Sequence, residues 1–180
     1  MKPLFRPVRK KIDYGVLELR GLRGSDARDV ARVLNKPLVR RFTTFPQGVR
    51  TSVGEVLDQL RASEANPAHW YIAAFLDGRY VGRLVVFRLD TGKRAHVAEF
   101  GTSLDGHYGT TVEKQLVGAA EAFLTRQGVR KLLAGVIANN VKSKRLYEKM
   151  GYQTECVMKR NVFDGRRFWD EILLSKWLPA

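Results

Sequence analysis

The sequence has very little cysteine and histidine, the residues that most often build disulfides and transition-metal sites. Its single cysteine, Cys156, can form no disulfide within the chain and no cysteine metal cluster. The three histidines, His69, His96 and His107, are scattered and lack the spacing of metal ligands. We therefore expect no zinc site. Because Cys156 falls in a strand pattern, we expect it to be a core residue.

Long hydrophobic runs are also absent. No apolar stretch approaches the ~20 residues that a membrane-spanning helix needs. The N-terminus is basic but lacks the apolar core of a secretory signal. The sequence therefore favours a cytoplasmic protein that does not associate with a membrane.

Acidic residues are scarce relative to basic ones. The chain has 18 Asp and Glu against 32 Lys and Arg, which gives a formal net charge of +14. Such an excess creates a positive field that attracts an anionic cofactor, an acidic substrate or nucleic acid. The alternative is a basic surface that serves solubility alone, since charge by itself indicates neither a fold nor a site. Nucleic acid therefore stays among the candidate partners.

The first third of the chain contains a basic segment followed by short regular elements. Residues 1–14 are predicted to be a basic N-terminal arm, either flexible or at a sheet edge. Residues 15–180 are predicted to form a single domain. Apolar spacing predicts a strand at 16–20, a helix at 26–34 capped by Ser25, a loop at 38–48 and a helix at 52–62.

The middle of the chain has the alternation of antiparallel strands. Strands are predicted at 70–76, 80–89 and 95–104. Asp77-Gly78 predicts a type I′ turn between the first two strands, because both residues tolerate positive φ. A second turn is predicted at Asp90 to Lys93. These elements predict a three-stranded meander.

The pattern then changes to helices that alternate with strands. The helix at 112–126 is amphipathic and ends before Gly128, which suits the position after a helix C-terminus. A helix between two strands requires a crossover, which predicts parallel pairing of the strands that end at Leu104 and Ala138. The remaining elements are predicted as a buried strand at 130–138, a short helix at 140–150 and a hairpin of strands at 152–163 and 166–178.

One stretch carries a family resemblance. It runs from Asn140 through Ser143 and Leu146-Tyr147 to Gly151-Tyr152, and it resembles the corresponding stretch of the GNAT superfamily of acetyltransferases. The hairpin from Lys159 to Glu171 resembles the end of the ribosomal-protein and polyamine acetyltransferases. The similarity covers about residues 70–178, with a looser fit over 16–62.

The resemblance implies both a fold and an activity. The fold is a GNAT-like mixed α/β (α+β) domain, with a mostly antiparallel twisted sheet of about seven strands flanked by about four helices. The activity is transfer of an acetyl group from acetyl-CoA to a primary amine, by direct attack in a ternary complex. The acceptor is then a small molecule or a peptide, no metal takes part, and the protein is a monomer or a homodimer.

Two other functions remain open at this point. One is a catalytically impaired GNAT-like binding module for nucleic acid or an acidic partner, because the same fold can serve unrelated functions. The other is the same transfer with a different acyl-CoA.

Three side chains and one strand edge receive roles from the resemblance. Asn140 binds the pantetheine arm of acetyl-CoA, Ser143 assists at the cofactor, and Tyr147 donates a proton to the departing thiolate. The strand edge that pairs with pantetheine comprises Thr102, Ser103 and Leu104. The structural alternatives are that Tyr147 only packs under the last hairpin and that Asn140 only caps its helix.

The phosphate-binding loop departs from the family pattern. The resemblance assigns this loop to Gly109, Thr110, Thr111 and Val112, where backbone N–H groups and the helix dipole hold phosphates. Thr111 and Glu113 occupy the two positions at which the family has loop glycines. A carboxylate at Glu113 repels a pyrophosphate unless it points away or pairs with Lys114.

The attacking amine must be neutral, and the resemblance implies that either a carboxylate on the third meander strand or a chain of water molecules removes its proton. Glu99 lies on that strand and is the candidate base. His96 and His107 are alternatives. Glu99 can instead be a cross-strand partner of Arg83 or Arg94.

The acceptor pocket is expected between the loop after the first helix and the terminal hairpin. The aromatic candidates, each of which can instead be a core residue, are Phe42, Phe45, Trp70, Phe168 and Trp169. Asp170 and Glu171 can hold a cationic amine, or they can pair with Arg160 or Arg166.

Overall fold

The computed structural model describes residues 4–44, 48–89, 92–106 and 108–179. These residues form one eight-stranded sheet in the order β1-β2-β3-β4-β5-β6-β8-β7. The strands are β1 Val8–Ile12, β2 Gly15–Gly21, β3 His69–Leu76, β4 Arg79–Arg88, β5 Val97–Leu104, β6 Lys131–Ile137, β7 Gln153–Phe163 and β8 Phe168–Trp177. The α-helices are α1 Ala27–Leu34, α2 Pro37–Arg41, α3 Val53–Ala65, α4 Gly109–Arg126 and α5 Val141–Lys149. Six of the seven strand pairs are antiparallel, so the predicted mixed, mostly antiparallel sheet is confirmed.

Two hydrophobic clusters lie on opposite faces of this sheet. Successive side chains of a strand point to opposite faces. Accordingly, Ile72 and Ala74 of β3 pack with the apolar residues of α4, whereas Ala73 and Phe75 pack with α1 and α3. The helices therefore cover the two faces of the sheet and leave its edges for β1 and β7.

Three details of the first third differ from the sequence prediction. The basic segment takes the sheet-edge position that was one of its two alternatives, and as strand β1 beside β2 it raises the predicted count of about seven strands to eight. The predicted loop at 38–48 begins inside a fifth helix, α2, with Pro37 in its first turn, where proline is tolerated. Asp26, and not Ser25, occupies the N-cap of α1, because a 3₁₀ turn at Gly24–Asp26 leads directly into the helix.

The later elements follow the prediction closely. Asp77 and Gly78 both have positive φ, at 47° and 78°, as a type I′ turn requires. Helix α4 starts at Gly109, earlier than the predicted residue 112, and it ends before Gly128, whose φ is 80°. Cys156 is an exception, because it is exposed on the edge strand β7 and is not a core residue. Among the described residues, no helix is both long and apolar enough to cross a membrane.

Candidate active site

The central feature of the site is a separation of two parallel strands. β5 and β6 pair only from Val97 opposite Lys131 to Phe100 opposite Ala134. Beyond that point β5 stays paired with β4 up to Leu104, and β6 stays paired with β8 up to Ile137. The sheet therefore splits between residues 101–104 and residues 135–137, and we call this split the wedge. The predicted parallel pairing of these two strands is confirmed, and it is limited to their first halves.

Two helices begin close to the wedge in sequence. Gly109 starts α4 a few residues after β5 ends, and Val141 starts α5 a few residues after β6 ends. The first N–H groups of a helix have no partner within it, and they carry the positive end of the helix dipole. At the N-cap of α4, Tyr108 makes no side-chain capping bond to the described residues. The backbone of Gly109, Thr110 and Thr111 thus offers donors of the kind that bind phosphate.

Asn140 caps the second of these helices. Its Oδ1 accepts a hydrogen bond from the backbone N–H of Ser143 over 3.3 Å. The capping role that the sequence left open is therefore present, and a role at pantetheine stays a prediction.

The neighbouring residue Asn139 was not singled out by the sequence. Its Oδ1 is buried and has no hydrogen-bond partner among the described residues. A buried acceptor is normally satisfied, so this oxygen suits a donor supplied by a ligand. Its one sequence signal was its place at the end of β6, where open sheets bind ligands.

Three oxygen atoms form a closed triangle beside the wedge. The Tyr147 hydroxyl donates to Glu113 Oε1 over 2.8 Å, and the Thr102 hydroxyl donates to the same oxygen over 2.8 Å. The Thr102 and Tyr147 oxygens are 3.1 Å apart. Thr102 belongs to the part of β5 that is not paired with β6, so the triangle places the Tyr147 hydroxyl next to the wedge.

This triangle explains the unusual residue of the phosphate loop. Glu113 is only 6% exposed, and its carboxylate points towards α5 and β5. Among the described residues it does not form the ion pair with Lys114 that the sequence suggested as one alternative. Its carboxylate accepts hydrogen bonds from two hydroxyl groups and not from the first-turn N–H groups of α4, so these groups keep their capacity to bind an anion.

Burial shifts the acid–base behaviour of the triangle. Burial raises the pKa of Glu113, although hydrogen bonds from Tyr147 and Thr102 and the charge of Lys142 oppose this. The Ser143 hydroxyl also lowers the pKa of Glu113 by hydrogen bonding. Burial, and then the charge of Glu113, raise the pKa of Tyr147 well above its usual value. Glu113 therefore brings together three residues that were predicted to contact the cofactor, Ser143, Tyr147 and Thr102. The sequence analysis had predicted that this glutamate would repel the cofactor.

Aromatic packing fixes the orientation of Tyr147. Its ring meets that of Phe100 edge-on, with 5.6 Å between centroids, and it lies 5.7 Å from the ring of Tyr152. Both packing and hydrogen bonding therefore hold this side chain, which is only 3% exposed.

Glu99 lies on the opposite face of the sheet. Thr102 and Phe100 point towards α4 and α5, so strand alternation places Glu99 on the other side of β5. Its cross-strand neighbour is Phe87, whereas Arg83 lies opposite Ser103, so the predicted pairing with Arg83 is wrong. Partial desolvation, and then the charge of Glu171, raise the pKa of Glu99.

A cavity opens near the end of β6, between α2 and the terminal hairpin. This is the location that the sequence predicted for the acceptor pocket. Its lining comprises Arg41, Thr43, Thr44, Ile137, Asn161, Val162, Phe163, Asp164 and Trp169. Among the aromatic candidates that the structure describes, which are Phe42, Trp70, Phe168 and Trp169, only Trp169 lines it. Trp70 is a core residue at 5% exposure, Phe168 is exposed, and Phe45 lies outside the described residues, as does His107.

The acidic residues of the hairpin have local partners. Asp170 accepts from the Lys159 ammonium and from the backbone N–H of Arg160, and Glu171 accepts from the Asn161 amide. Asp164 accepts from the Trp169 indole and from two backbone N–H groups, which lowers the pKa of Asp164 to about 2. The side chain of Asp170 thus pairs with that of Lys159. The alternative side-chain pairing with Arg160 or Arg166 is wrong. Among the described residues, no group of three His, Cys, Asp or Glu side chains could hold a metal ion.

Comparison with known protein families supports the resemblance to the GNAT superfamily. A family model described as an acetyltransferase (GNAT) domain matches residues 17–153. No curated protein sequence matches the chain. Neither result supports the alternative of a non-catalytic binding module.

Solved structures share the fold at low sequence identity. An N-acetyltransferase from Staphylococcus aureus Mu50 is 15% identical, with a TM-score of 0.81 over 91% of this chain and 99% of that chain. The ribosomal-protein-S5-alanine acetyltransferase from Vibrio fischeri is 20% identical, with a TM-score of 0.79 over 94% of this chain and 96% of that chain. A Salmonella typhimurium protein solved with its cofactor acetyl-CoA is 15% identical, with a TM-score of 0.79 over 91% of this chain and 95% of that chain.

Proposed function

This chain belongs to the GNAT acetyltransferase family of acyl-CoA-dependent N-acyltransferases, and we propose that it transfers the acetyl group of acetyl-CoA directly to a primary amine in a ternary complex. The observation that carries the proposal is the wedge, where β5 and β6 separate after Phe100 and Ala134. An extended chain can lie along the free edge of β5 there, because backbone groups on that edge are not used by β6.

The residues around the wedge offer hydrogen-bonding groups for the pantetheine arm and for the pyrophosphate of the cofactor. The edge formed by Thr102, Ser103 and Leu104 would pair with the amide groups of pantetheine. The backbone N–H groups from Gly109 to Val112 would hold the pyrophosphate at the start of α4. Asn140 and Ser143 would contact the pantetheine arm near the start of α5. Acetyl-CoA supplies an activated thioester, and no covalent bond to the protein is needed.

The two sides of the sheet separate the two proton transfers. Glu99 would accept the proton that the amine loses, and its raised pKa brings it closer to the pH at which a general base is effective. Tyr147 lies on the other face, where it would protonate the sulfur as the C–S bond breaks. This separation would keep the base and the acid on opposite sides of a thioester held in the wedge.

The acceptor would enter through the cavity beside Ile137 and Trp169. Arg41 and Asn161 are polar side chains at this cavity, and Glu99 and Glu171 lie on the same face of the sheet. A small-molecule or peptide amine suits such a mixed lining. An alanine-starting peptide and a polyamine are the first acceptors to test, because the family resemblance includes enzymes for both.

Titration calorimetry with acetyl-CoA tests the first half of the proposal. We expect saturable binding with one site per chain, and a higher melting temperature in its presence because the ligand binds only the folded state. CoA release with a panel of amines, followed as free thiol, tests the second half. Binding without release by any amine would contradict the transferase function, and absence of binding would contradict both halves.

A further inference from the structure

The oxygen triangle at Glu113, Thr102 and Tyr147 constrains where protons can lie. When Glu113 is ionised, only two protons are available, one on each hydroxyl. Both hydroxyls then donate to Glu113 Oε1, each over 2.8 Å, and the 3.1 Å edge between the two hydroxyl oxygens has no proton. In this state the only proton of Tyr147 is directed at Glu113 and not at a ligand in the wedge.

Loss of that proton from Tyr147 is unfavourable while Glu113 is ionised. A phenolate would form within 2.8 Å of a carboxylate, in a site where both residues are buried. Like charges at this distance in a poorly solvated site strongly disfavour each other. Tyr147 alone is therefore a poor acid, although the aromatic packing around it holds it next to the wedge.

A proton on Glu113 removes the difficulty. The triangle then has three protons for three oxygens, so Glu113 can donate into the triangle while one hydroxyl points outward. We propose that Glu113 and Tyr147 act together as the acid of the reaction, with Glu113 supplying the proton that replaces the one Tyr147 gives to the sulfur. This inference rests on the acetyl transfer proposed above.

The proposed step balances in atoms and charge. The amine nitrogen forms a bond to the acetyl carbon, and the C–S bond of the thioester breaks with its electron pair on sulfur. Sulfur takes the proton of Tyr147, and Tyr147 takes the proton of Glu113. The amine proton goes to Glu99. One carboxylate is left at Glu113 and no phenolate persists. Before the next turnover Glu99 releases its proton to water and Glu113 takes a proton up from water.

The surroundings of Glu113 suit a group that changes charge. From α5 it faces Lys142, Ser143 and Tyr147, and from β5 it faces Thr102. Lys142 stabilises the carboxylate that the step leaves behind, whereas burial favours the protonated form before it. The residues that β2, β3 and β4 contribute to the core under α4 are apolar, as shown by Leu19, Ile72 and Leu84.

Helix α4 contains a second pair that serves as a matched control. The Tyr152 hydroxyl donates to Glu121 over 2.9 Å, which is the same chemistry two turns further along the helix. Glu121 also forms an ion pair with Lys176 at 2.8 Å, so it has a permanent cationic partner. This pair contacts strand β8 and not the split ends of β5 and β6. If losing any glutamate–tyrosine hydrogen bond lowers activity, substitution of either glutamate will do so. If the loss is specific to the acid of the reaction, only substitution of Glu113 will lower activity.

The first test needs no acceptor. The side-chain carboxyl carbons are observed by NMR in protein labelled with ¹³C-glutamate, and the Glu113 signal is assigned by its loss in Glu113→Gln. We expect this carbon to titrate well above the ordinary glutamate pKa of about 4.3, so that Glu113 holds its proton in the free protein. A signal that titrates at the ordinary value would overturn the proposal, whatever the acceptor turns out to be.

The second test measures CoA release with the best amine of the panel across pH. Glu113→Gln keeps an acceptor for Tyr147 but has no proton to transfer, so kcat should fall by about 100-fold while the acetyl-CoA Kd changes little. The wild-type kcat should decline as pH rises through the Glu113 pKa, and this decline should be missing in the variant. Glu121→Gln should keep the wild-type pH profile.

Other outcomes would decide against the inference. An unchanged kcat in Glu113→Gln, or the same pH profile as the wild type, means that Glu113 supplies no proton. A loss of acetyl-CoA binding together with kcat means that its role is structural. If the wild-type protein releases no CoA with any amine, the proposed function fails, and the NMR titration still decides whether Glu113 is protonated.

Discussion

Tyr147 and Glu113 are joined by a 2.8 Å hydrogen bond that links α5 to the beginning of α4. The bond connects the two parts of the chain that the family resemblance had treated separately, the tyrosine motif and the phosphate loop. It also engages the carboxylate of the residue that departs from the family pattern, which accepts from the Tyr147 and Thr102 hydroxyls and not from the first-turn N–H groups.

A new negative charge at the start of α4 should weaken cofactor binding without harming the helix. An acidic residue in the first turn stabilises a helix through its dipole, but it repels a bound pyrophosphate. We expect Thr111→Asp to weaken acetyl-CoA binding by at least ~10-fold, with no loss of melting temperature. Calorimetry measures the affinity.

Gly54→Asp is the matched control, because Gly54 lies in the first turn of α3, away from the wedge. It adds the same charge to a different helix and should leave the affinity unchanged. Equal losses in both variants would mean that net charge alone, and not the start of α4, governs the binding.

Removing the Tyr147 hydroxyl should slow the chemical step. Tyr147→Phe keeps the ring contacts with Phe100 and Tyr152 but deletes the proton donor. We expect kcat to fall by about 100-fold, with the acetyl-CoA Kd nearly unchanged. Steady-state CoA release and calorimetry give the two values.

Tyr80→Phe is the control for this substitution. Tyr80 is also a buried tyrosine, but its hydroxyl has no partner among the described residues and it packs in the cluster around α1 and α3. The activity of the Tyr80→Phe variant should equal that of the wild type. Full activity in Tyr147→Phe would remove Tyr147 from the mechanism.

The general base should be visible in the acid limb of the pH profile. Partial desolvation and Glu171 raise the pKa of Glu99, so the base becomes protonated, and kcat/KM falls, at a higher pH than an ordinary glutamate would give. Glu99→Gln should lower kcat/KM by about 100-fold and remove that limb. Glu64→Gln, on the exposed side of α3, should change neither, and a retained acid limb in Glu99→Gln would assign the base elsewhere.

Gly135 offers a way to move Glu171 without replacing it. A Cβ atom at Gly135 would lie 2.6 Å from Glu171 Oε1, so alanine there must displace this flexible carboxylate. If Glu171 helps to raise the pKa of Glu99, Gly135→Ala should shift the acid limb to lower pH and change the KM of the amine more than the Kd of acetyl-CoA. Gly118→Ala is the control, since a Cβ there meets nothing within 4 Å. An acid limb that stays in place would show that Glu171 does not act on Glu99.

Protonation of Glu113 should also appear in the stability of the protein. Its pKa is raised in the folded state, so the folded protein holds this proton more tightly than the unfolded chain. The contribution of Glu113 to the free energy of unfolding is therefore full below the unfolded pKa and is lost as pH rises through the folded pKa. Urea unfolding between pH 4 and 8 should show Glu113→Gln gaining stability relative to the wild type as pH rises. A difference that is independent of pH would contradict the raised pKa.

The sequence anticipated most elements because their signals are local. The apolar spacing of α4 and the Asp77-Gly78 turn depend on residues close to each other in the chain, and both are confirmed. The sequence left the outcome open at one segment and gave a wrong one at another, and both depend on distant partners. Val8–Ile12 becomes a strand only because β2 offers an edge, and Cys156 is exposed because β7 ends the sheet.

By itself, the sequence determined the order of helices and strands, the parallel crossover that brings β5 beside β6, and the motif from Asn140 to Tyr152. These follow from periodicity, turn chemistry and residue spacing, which act over short stretches of chain. Only the tertiary structure decided the direction of Glu113. Its carboxylate meets hydroxyls from Thr102 and Tyr147, which are 11 and 34 residues away in sequence. Whether a charged side chain faces an anion or a buried hydroxyl depends on how α4 and α5 pack on the split sheet, and no local pattern encodes that packing.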